Sequence, residues 1–291
     1  MNGIVNVLKP TGMTSHDVVS RLRKITSIRK IGHAGTLDPN ASGVLPVCIG
    51  KATRLSDYLM EYDKEYIFVL KLGLLTDTYD IYGKIITEDK NLQVLEQATV
   101  SAVIRSFEGE SWQTPPIYSA LKLDGKKLYE YARQDIAVNI KKRKINIKKI
   151  ELLDYSFPFI RIKANVTKGT YIRSICHDIG LALGTNAVMA ILVRTASKNL
   201  SINNSYTLEQ IDEMYRLDDL RFLMAYDAVL KLESMFFDDD SLSRLINGVK
   251  IPKKELENYP QFFYIRNTKS KIFGIGEIVD TTYVKFKRLL I

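Results

Sequence analysis

The chain has 291 residues, with 42 Lys and Arg against 33 Asp and Glu, for a formal charge of +9. Apolar residues make up 46% and charged residues 26%, enough for a packed core, which excludes wholesale disorder. Two cysteines cannot build a disulfide framework, three histidines fit no zinc spacing, and no apolar run approaches the ~18 residues of a membrane span. The N-terminus has no basic stretch followed by an apolar one, so no signal peptide is expected. A reduced, cytoplasmic, basic protein remains, with nucleic acid as its natural partner. The length suggests about two domains.

Residues 3–8 read as a strand ended by Lys9-Pro10. Ser15 is a candidate cap for a helix with Val18, Val19, Leu22 and Ile25 at helical spacing, which places Arg21 and Arg23 on the wet side. Residues 44–50 form a buried strand and 51–60 a candidate helix. Tyr66, Phe68, Leu70 and Leu72 alternate with Ile67, Val69 and Lys71, which predicts a strand with both faces largely covered. Residues 91–107 are helical in part, and Asp124-Gly125 marks a turn before another helix. Strands follow at about 136–153 and 158–166. Residues 169–184 form a helix that starts at Gly169-Thr170 and stops at Gly184. The acidic stretch 207–232 gives two more helices. Residues 242–291 hold short β-rich runs between Gly, Asn and Pro, which suggests a small barrel-like β unit. The expected fold class is α+β, with a main domain over 1–235 and a β domain over 236–291.

The charge is uneven. Residues 207–240 carry ten acids and three bases, a net of −7, which leaves +16 on the rest. Arg21, Arg23, Lys24, Arg29 and Lys30 form one basic cluster. Lys141, Lys142, Arg143, Lys144, Lys148 and Lys149 form another. Each is either a solvated face or a track for phosphates.

The stretch IGHAGTLDPNASGVLPVCIGKATR, residues 31–54, concentrates the chemistry-bearing features. Its glycines permit close approach to a ligand. Pro39 restricts Asp38 to extended geometry, and a carboxylate so fixed among small residues can act as nucleophile or acid/base. Taken alone, Leu-Asp-Pro is more often an ordinary turn, and a histidine such as His33 more often a structural hydrogen-bonding residue than a catalyst.

Several ordered motifs together resemble the tRNA pseudouridine synthase B family. Lys9-Pro10-Thr11-Gly12-Met13-Thr14-Ser15 is similar to its N-terminal signature, and residues 32–54 to its catalytic motif. Residues 64–83 resemble its tyrosine-bearing strand and the loop after it, while PPIYSALKLDGKKLYEYAR and KGTYIRSICHDIG resemble two later motifs. The tail is loosely similar to a PUA-type RNA-binding domain. The resemblance implies a mixed, largely antiparallel central sheet flanked by helices, plus a small C-terminal PUA-like domain. It implies isomerisation of the T-loop uridine (position 55) of tRNA to pseudouridine, with the T stem-loop as partner. No cofactor, metal, membrane or protein partner is implied, and a monomer is expected.

By the same resemblance Asp38 is the nucleophile, Tyr66 stacks on the target base and assists proton loss from C5, and Arg173 pairs with the catalytic carboxylate. Tyr171 contacts substrate, His33 engages the RNA around the extruded nucleotide, and Leu192 lines the pocket. An Arg173 pair would orient the carboxylate and hold it ionised. Whether Asp38 attacks C1′ or C6 stays open. Three stretches depart from the family pattern: Leu192-Val193-Arg194-Thr195, Ser197-Lys198-Asn199-Leu200, and Gln134-Asp135. A non-catalytic RNA-binding or RNA-folding protein, or a synthase acting on another RNA, is the alternative.

Overall fold

The computed structural model describes residues 1–291 apart from 135, 254, 255, 257 and 258. Strand β1 (Gly3–Lys9) leads through α1 (Ser15–Thr26) to β2 (Ile31–His33) and β3 (Ser42–Ile49). A 3-10 segment, Gly50–Leu55, runs into α2 (Ser56–Met60), followed by β4 (Lys64–Leu72) and the ribbon β5 (Leu74–Thr76) and β6 (Ile85–Glu88). Next come α3 (Gln97–Ser106), β7 (Gly109–Gln113), the hairpin β8 (Lys122–Leu123) and β9 (Lys126–Lys127), and the short α4 (Leu128–Ala132). Two long strands, β10 (Arg143–Ser156) and β11 (Phe159–Val166), precede α5 (Ile172–Ala182), β12 (Ala187–Ser197) and β13 (Leu200–Ser201). Helix α6 (Leu208–Arg216), β14 (Leu223–Met224) and α7 (Tyr226–Val229) end the larger part. The C-terminal part comprises β15 (Ser234–Phe237), α8 (Asp239–Ile246), β16 (Ile251–Pro252), β17 (Phe262–Asn267), β18 (Ile272–Val279) and β19 (Tyr283–Leu289).

The central sheet runs β14-β1-β3-β12-β4-β11-β10-β7, with β13 on β12 and β2 on β3. All its pairs are antiparallel except β12 with β3, so the expected mixed, largely antiparallel α+β architecture is present. Helices α3 and α5 cover the face of β4 that carries Tyr66, Phe68, Leu70 and Leu72, in one core with Ile160 and Ile162 of β11. The opposite face, with Ile67 and Val69, is only half-buried, so β4 alternates and is not covered on both sides. A second core beneath α1 and α6 packs Val18, Leu22 and Ile211 against Val5, Val7 and Val47.

Boundaries moved where side chains had competing uses. Thr14, not Ser15, caps α1 and forms a capping box with Asp17. Arg23 is half-buried and donates to the Ile31 carbonyl (3.0 Å), while Arg21 is exposed. The helix expected over 51–60 is split between 3-10 and α geometry, and the strand expected from 136 starts at Arg143. Asp124 and Gly125 do make the turn, both at positive φ.

The C-terminal sheet has the order β15-β17-β18-β19-β16, with β15 and β17 parallel, and α8, which the sequence reading left out, packs Leu242 and Leu245 against it. It begins at Ser234, so β15 crosses position 236. A shared core joins the two parts: Leu55, Leu59, Tyr62 and Val229 pack with Tyr264, Ile275 and Leu290. Among the described residues no helix is long and apolar enough to cross a membrane.

Candidate active site

The loop between β2 and β3 carries Asp38, and it is held from three sides. Ser15 Oγ accepts from the Leu37 amide (2.9 Å) and lies 3.2 Å from its carbonyl. The Pro39 carbonyl accepts from the Gly12 amide (2.9 Å) and from Lys9 Nζ (3.1 Å). Arg194, only 1% exposed, donates from Nε to the Val44 carbonyl (2.6 Å) and from Nη2 to that of Gly35 (3.2 Å). Every one of these bonds engages a backbone amide or carbonyl of the loop or its flanking strand, so the loop's path is fixed on both sides of Asp38.

Arg173 reaches Asp38 from the start of α5. Its Nε is 2.9 Å from Asp38 Oδ2, and Nη2 lies 3.4 Å from Oδ1, a two-point grip on both carboxylate oxygens. The remaining donors serve the carbonyls of Thr78 (Nη1, 3.1 Å) and Tyr118 (Nη2, 2.9 Å). The arginine side chain is 6% exposed and the aspartate 38%. A guanidinium sealed away from water is tolerable only when paired and hydrogen-bonded, as here, whereas the carboxylate keeps an open side.

That side faces a cavity of about 350 Å³ lined by Asp38, Tyr66, Tyr171, Arg173 and Leu192. Five of the six residues singled out from the sequence therefore meet. Tyr66 lies on the covered face of β4, opposite Ala164 of β11 and Arg194 of β12. Leu192 follows a bulge in β12 and stands opposite Phe68. Tyr171 precedes α5, and Gln113 clamps it: the Gln113 side-chain amide accepts from the Tyr171 N–H (2.8 Å) and donates to its carbonyl (3.0 Å). Burial pushes the Tyr171 hydroxyl up from its ordinary pKa.

His33 does not line the cavity. It ends β2, opposite Val47, and its Nδ1 is buried without a hydrogen-bond partner among the described residues. Burial, then the nearby Arg194 and His16, lower its pKa, so the imidazole is neutral at neutral pH.

Four further residues build the site without having been chosen from the sequence. Lys9, fully buried, donates to the Pro10 (2.7 Å), Met13 (2.6 Å) and Pro39 carbonyls. Burial brings its pKa down to about 8. Lys64, on the Tyr66 face of β4, lines the cavity, donates to the Met60 and Tyr62 carbonyls, and is also lowered by burial to about 8. Arg194 and Gln113 complete the set. The Ser197-Lys198-Asn199-Leu200 departure forms a tight β12–β13 turn, with Lys198 at φ 53 and its ammonium 4.4 Å from the Tyr62 ring centre. The Gln134-Asp135 departure falls partly outside the described residues, at Asp135. Among the described residues no group of three or more His, Cys, Asp and Glu is placed to hold a metal ion.

Residues 23–172 match the model of the TruB family pseudouridylate synthase N-terminal domain, and residues 173–236 that of the tRNA pseudouridylate synthase B C-terminal domain. The tRNA pseudouridine synthase B of Clostridium tetani is 47% identical over 257 residues, 88% of each chain. That of Clostridium acetobutylicum is 40% identical over 296 residues, covering 99% of this chain and 100% of its own. Among solved structures, a chain of a Cbf5-Nop10-Gar1 complex superposes with a TM-score of 0.76 at 26% identity, over 99% of this chain and 85% of that one.

Proposed function

The chain belongs to the TruB family of pseudouridylate synthases, isomerases that convert uridine in RNA, and from that premise we propose that it converts the T-loop uridine of tRNA to pseudouridine with Asp38 as nucleophile. The observation that carries this reading is the Asp38–Arg173 pair, an oriented carboxylate open to a cavity that Tyr66 and Leu192 also line.

The reaction breaks the bond between C1′ and N1, turns the base and joins C5 to C1′. The proton on C5 leaves, N1 gains one, and no electrons are transferred. A carboxylate suits the first step as a nucleophile at C1′ or C6, and the two-point Arg173 grip fixes its direction. A flat ring on the cavity wall holds the freed base by stacking, the role proposed for Tyr66, which also assists loss of the C5 proton. Leu192 gives the base an apolar wall, Tyr171 contacts the substrate, and His33 engages the RNA beside the extruded nucleotide from outside the cavity. Flipping a stacked nucleotide costs a few kcal/mol, offset by stacking and phosphate contacts.

Phosphate contacts are assigned to Lys141, Lys142 and Arg143, which are exposed and form no ion pair with a described residue. Lys144 is paired with Glu110 (2.8 Å), and Lys148 and Lys149 are paired with Asp63 and Glu151. Residues 236–291 are proposed as an RNA-binding appendage of the catalytic domain over 1–235, working in the cytoplasm as a monomer.

Tritium release from an isolated T-arm stem-loop carrying 5-tritiated uridine tests the substrate assignment. Conversion of the T arm is expected. An inert T arm alongside a converted ribosomal or guide-paired RNA moves the chain to another substrate, and no release from any structured RNA leaves only a binding role.

A further inference from the structure

Helix α5 grips the turn between β5 and β6 at two consecutive residues. Arg173 donates to the Thr78 carbonyl. His177, four residues on and so on the same helix face, lies flat against the Tyr79 ring, with centres 4.2 Å apart and planes 5° from parallel. The turn is tied in other ways. Tyr79 donates from its amide to the Thr76 carbonyl (3.3 Å) and accepts from Met189 of β12 (2.9 Å), and the Ile81 amide returns a bond to Met189 (3.0 Å).

Tyr79 stands at φ 59, a left-handed conformation that a bulky aromatic residue holds only when its surroundings enforce it. The backbone ladder to Met189 would accept any residue, glycine most readily. What selects an aromatic residue there is the imidazole face. His177 itself makes no hydrogen bond through Nδ1, which is buried without a partner among the described residues, so its ring is used for its surface.

We propose that the Tyr79–His177 stack is a positioning element for the Asp38–Arg173 pair: it pins the Thr76–Gly83 turn to α5 and so fixes the Thr78 carbonyl that orients the Arg173 guanidinium. This rests on the reading of Asp38 and Arg173 as catalytic. The stack touches neither substrate nor the reacting atoms. It acts through the guanidinium, whose aim decides where the carboxylate oxygens point.

The test compares His177→Ala, His177→Phe and Tyr79→Gly in the full chain, by single-turnover tritium release from the T arm at saturating enzyme, with T-arm Kd and thermal midpoint measured beside it. His177→Ala and Tyr79→Gly are expected to slow the chemical step by about 10- to 100-fold, the scale of a small misplacement of a catalytic group, with Kd within about twofold of wild type. His177→Phe, which restores a flat ring without ring nitrogens, is expected to recover the rate to within about threefold of wild type. Wild-type rates in both His177→Ala and Tyr79→Gly overturn the proposal. So does a His177→Phe variant as slow as His177→Ala, since a ring nitrogen would then be the group needed. Should His177→Ala fail to fold, Tyr79→Gly decides, because glycine adopts that φ freely. Asp38→Asn run alongside separates the two levels: if it turns over, the catalytic reading fails first, and if it is inert while the stack variants are fast, only the stack proposal fails.

Discussion

Lys9 illustrates how a single residue can shape the site without entering it. Its ammonium is buried among three carbonyls, one of which belongs to Pro39 beside the catalytic candidate. Burial outweighs the attraction of Asp38 and brings the folded pKa to about 8, below the 10.5 of the unfolded chain. Between those values the unfolded chain holds a proton the folded one lacks, so the contribution of Lys9 to stability rises with pH from about 8 to 10.5. Lys9→Met is therefore expected to lose ground to wild type as pH is raised from 8 to 10 in paired denaturant titrations; a pH-independent gap contradicts the assignment. Asp38 and Arg173 were legible in the sequence because their motifs resemble a family's. The work of Lys9, Arg194 and Gln113 was not, because their partners are backbone atoms, which leave no signature in side-chain identity. His33 drew attention as part of the same motif, yet its side chain sits outside the cavity.

At the scale of elements, the β3–β12 contact sets Arg194, which lines the cavity, against Gly43. Gly43, at φ 109, faces Arg194, and a Cβ there would stand 2.2 Å from the Arg194 carbonyl oxygen. Gly43→Ala therefore combines a forbidden φ with backbone overlap at the parallel β3–β12 pairing, and the expected cost is roughly 3 kcal/mol. Urea unfolding measures it, and a loss below about 1 kcal/mol would show that β3 and β12 separate easily. The sequence reading recovered β1 and β3 from apolar runs that are buried on both faces, β4 from its alternation, and α5 from the glycines that bracket it. It misjudged α1's cap, since Thr14 and Ser15 are chemically equivalent caps and the tie is broken only by the Leu37 backbone, which occupies the Ser15 hydroxyl. It also extended β10 back to 136, where no partner strand is available until β7 pairs from Arg143 onward.

Across the whole molecule, the +9 charge becomes informative once ion pairs are taken out. Lys144, Lys148 and Lys149 are already matched to acids, so of that run Lys141, Lys142 and Arg143 carry the phosphate-binding assignment. Replacing these three with Gln is expected to weaken T-arm binding and lower the slope of log affinity against log salt by about 2, with the rate on bound RNA nearly unchanged. An unaltered slope returns the cluster to a solvated face. The reach of the C-terminal sheet into the larger part, through Tyr264, Ile275 and Leu290, was invisible in composition because the contacts join segments some two hundred residues apart.

The proposed chemistry starts at the carboxylate of Asp38, and its most direct test is Asp38→Asn against wild type on the 5-tritiated T arm, with RNA affinity measured on the same preparations. The substitution keeps size and a hydrogen-bonding carbonyl but removes the proposed nucleophile. Tritium release at least about 10⁴-fold slower with affinity within a few-fold of wild type is the expected result, since loss of a nucleophile removes a whole reaction path. Retained turnover by Asp38→Asn would contradict the account.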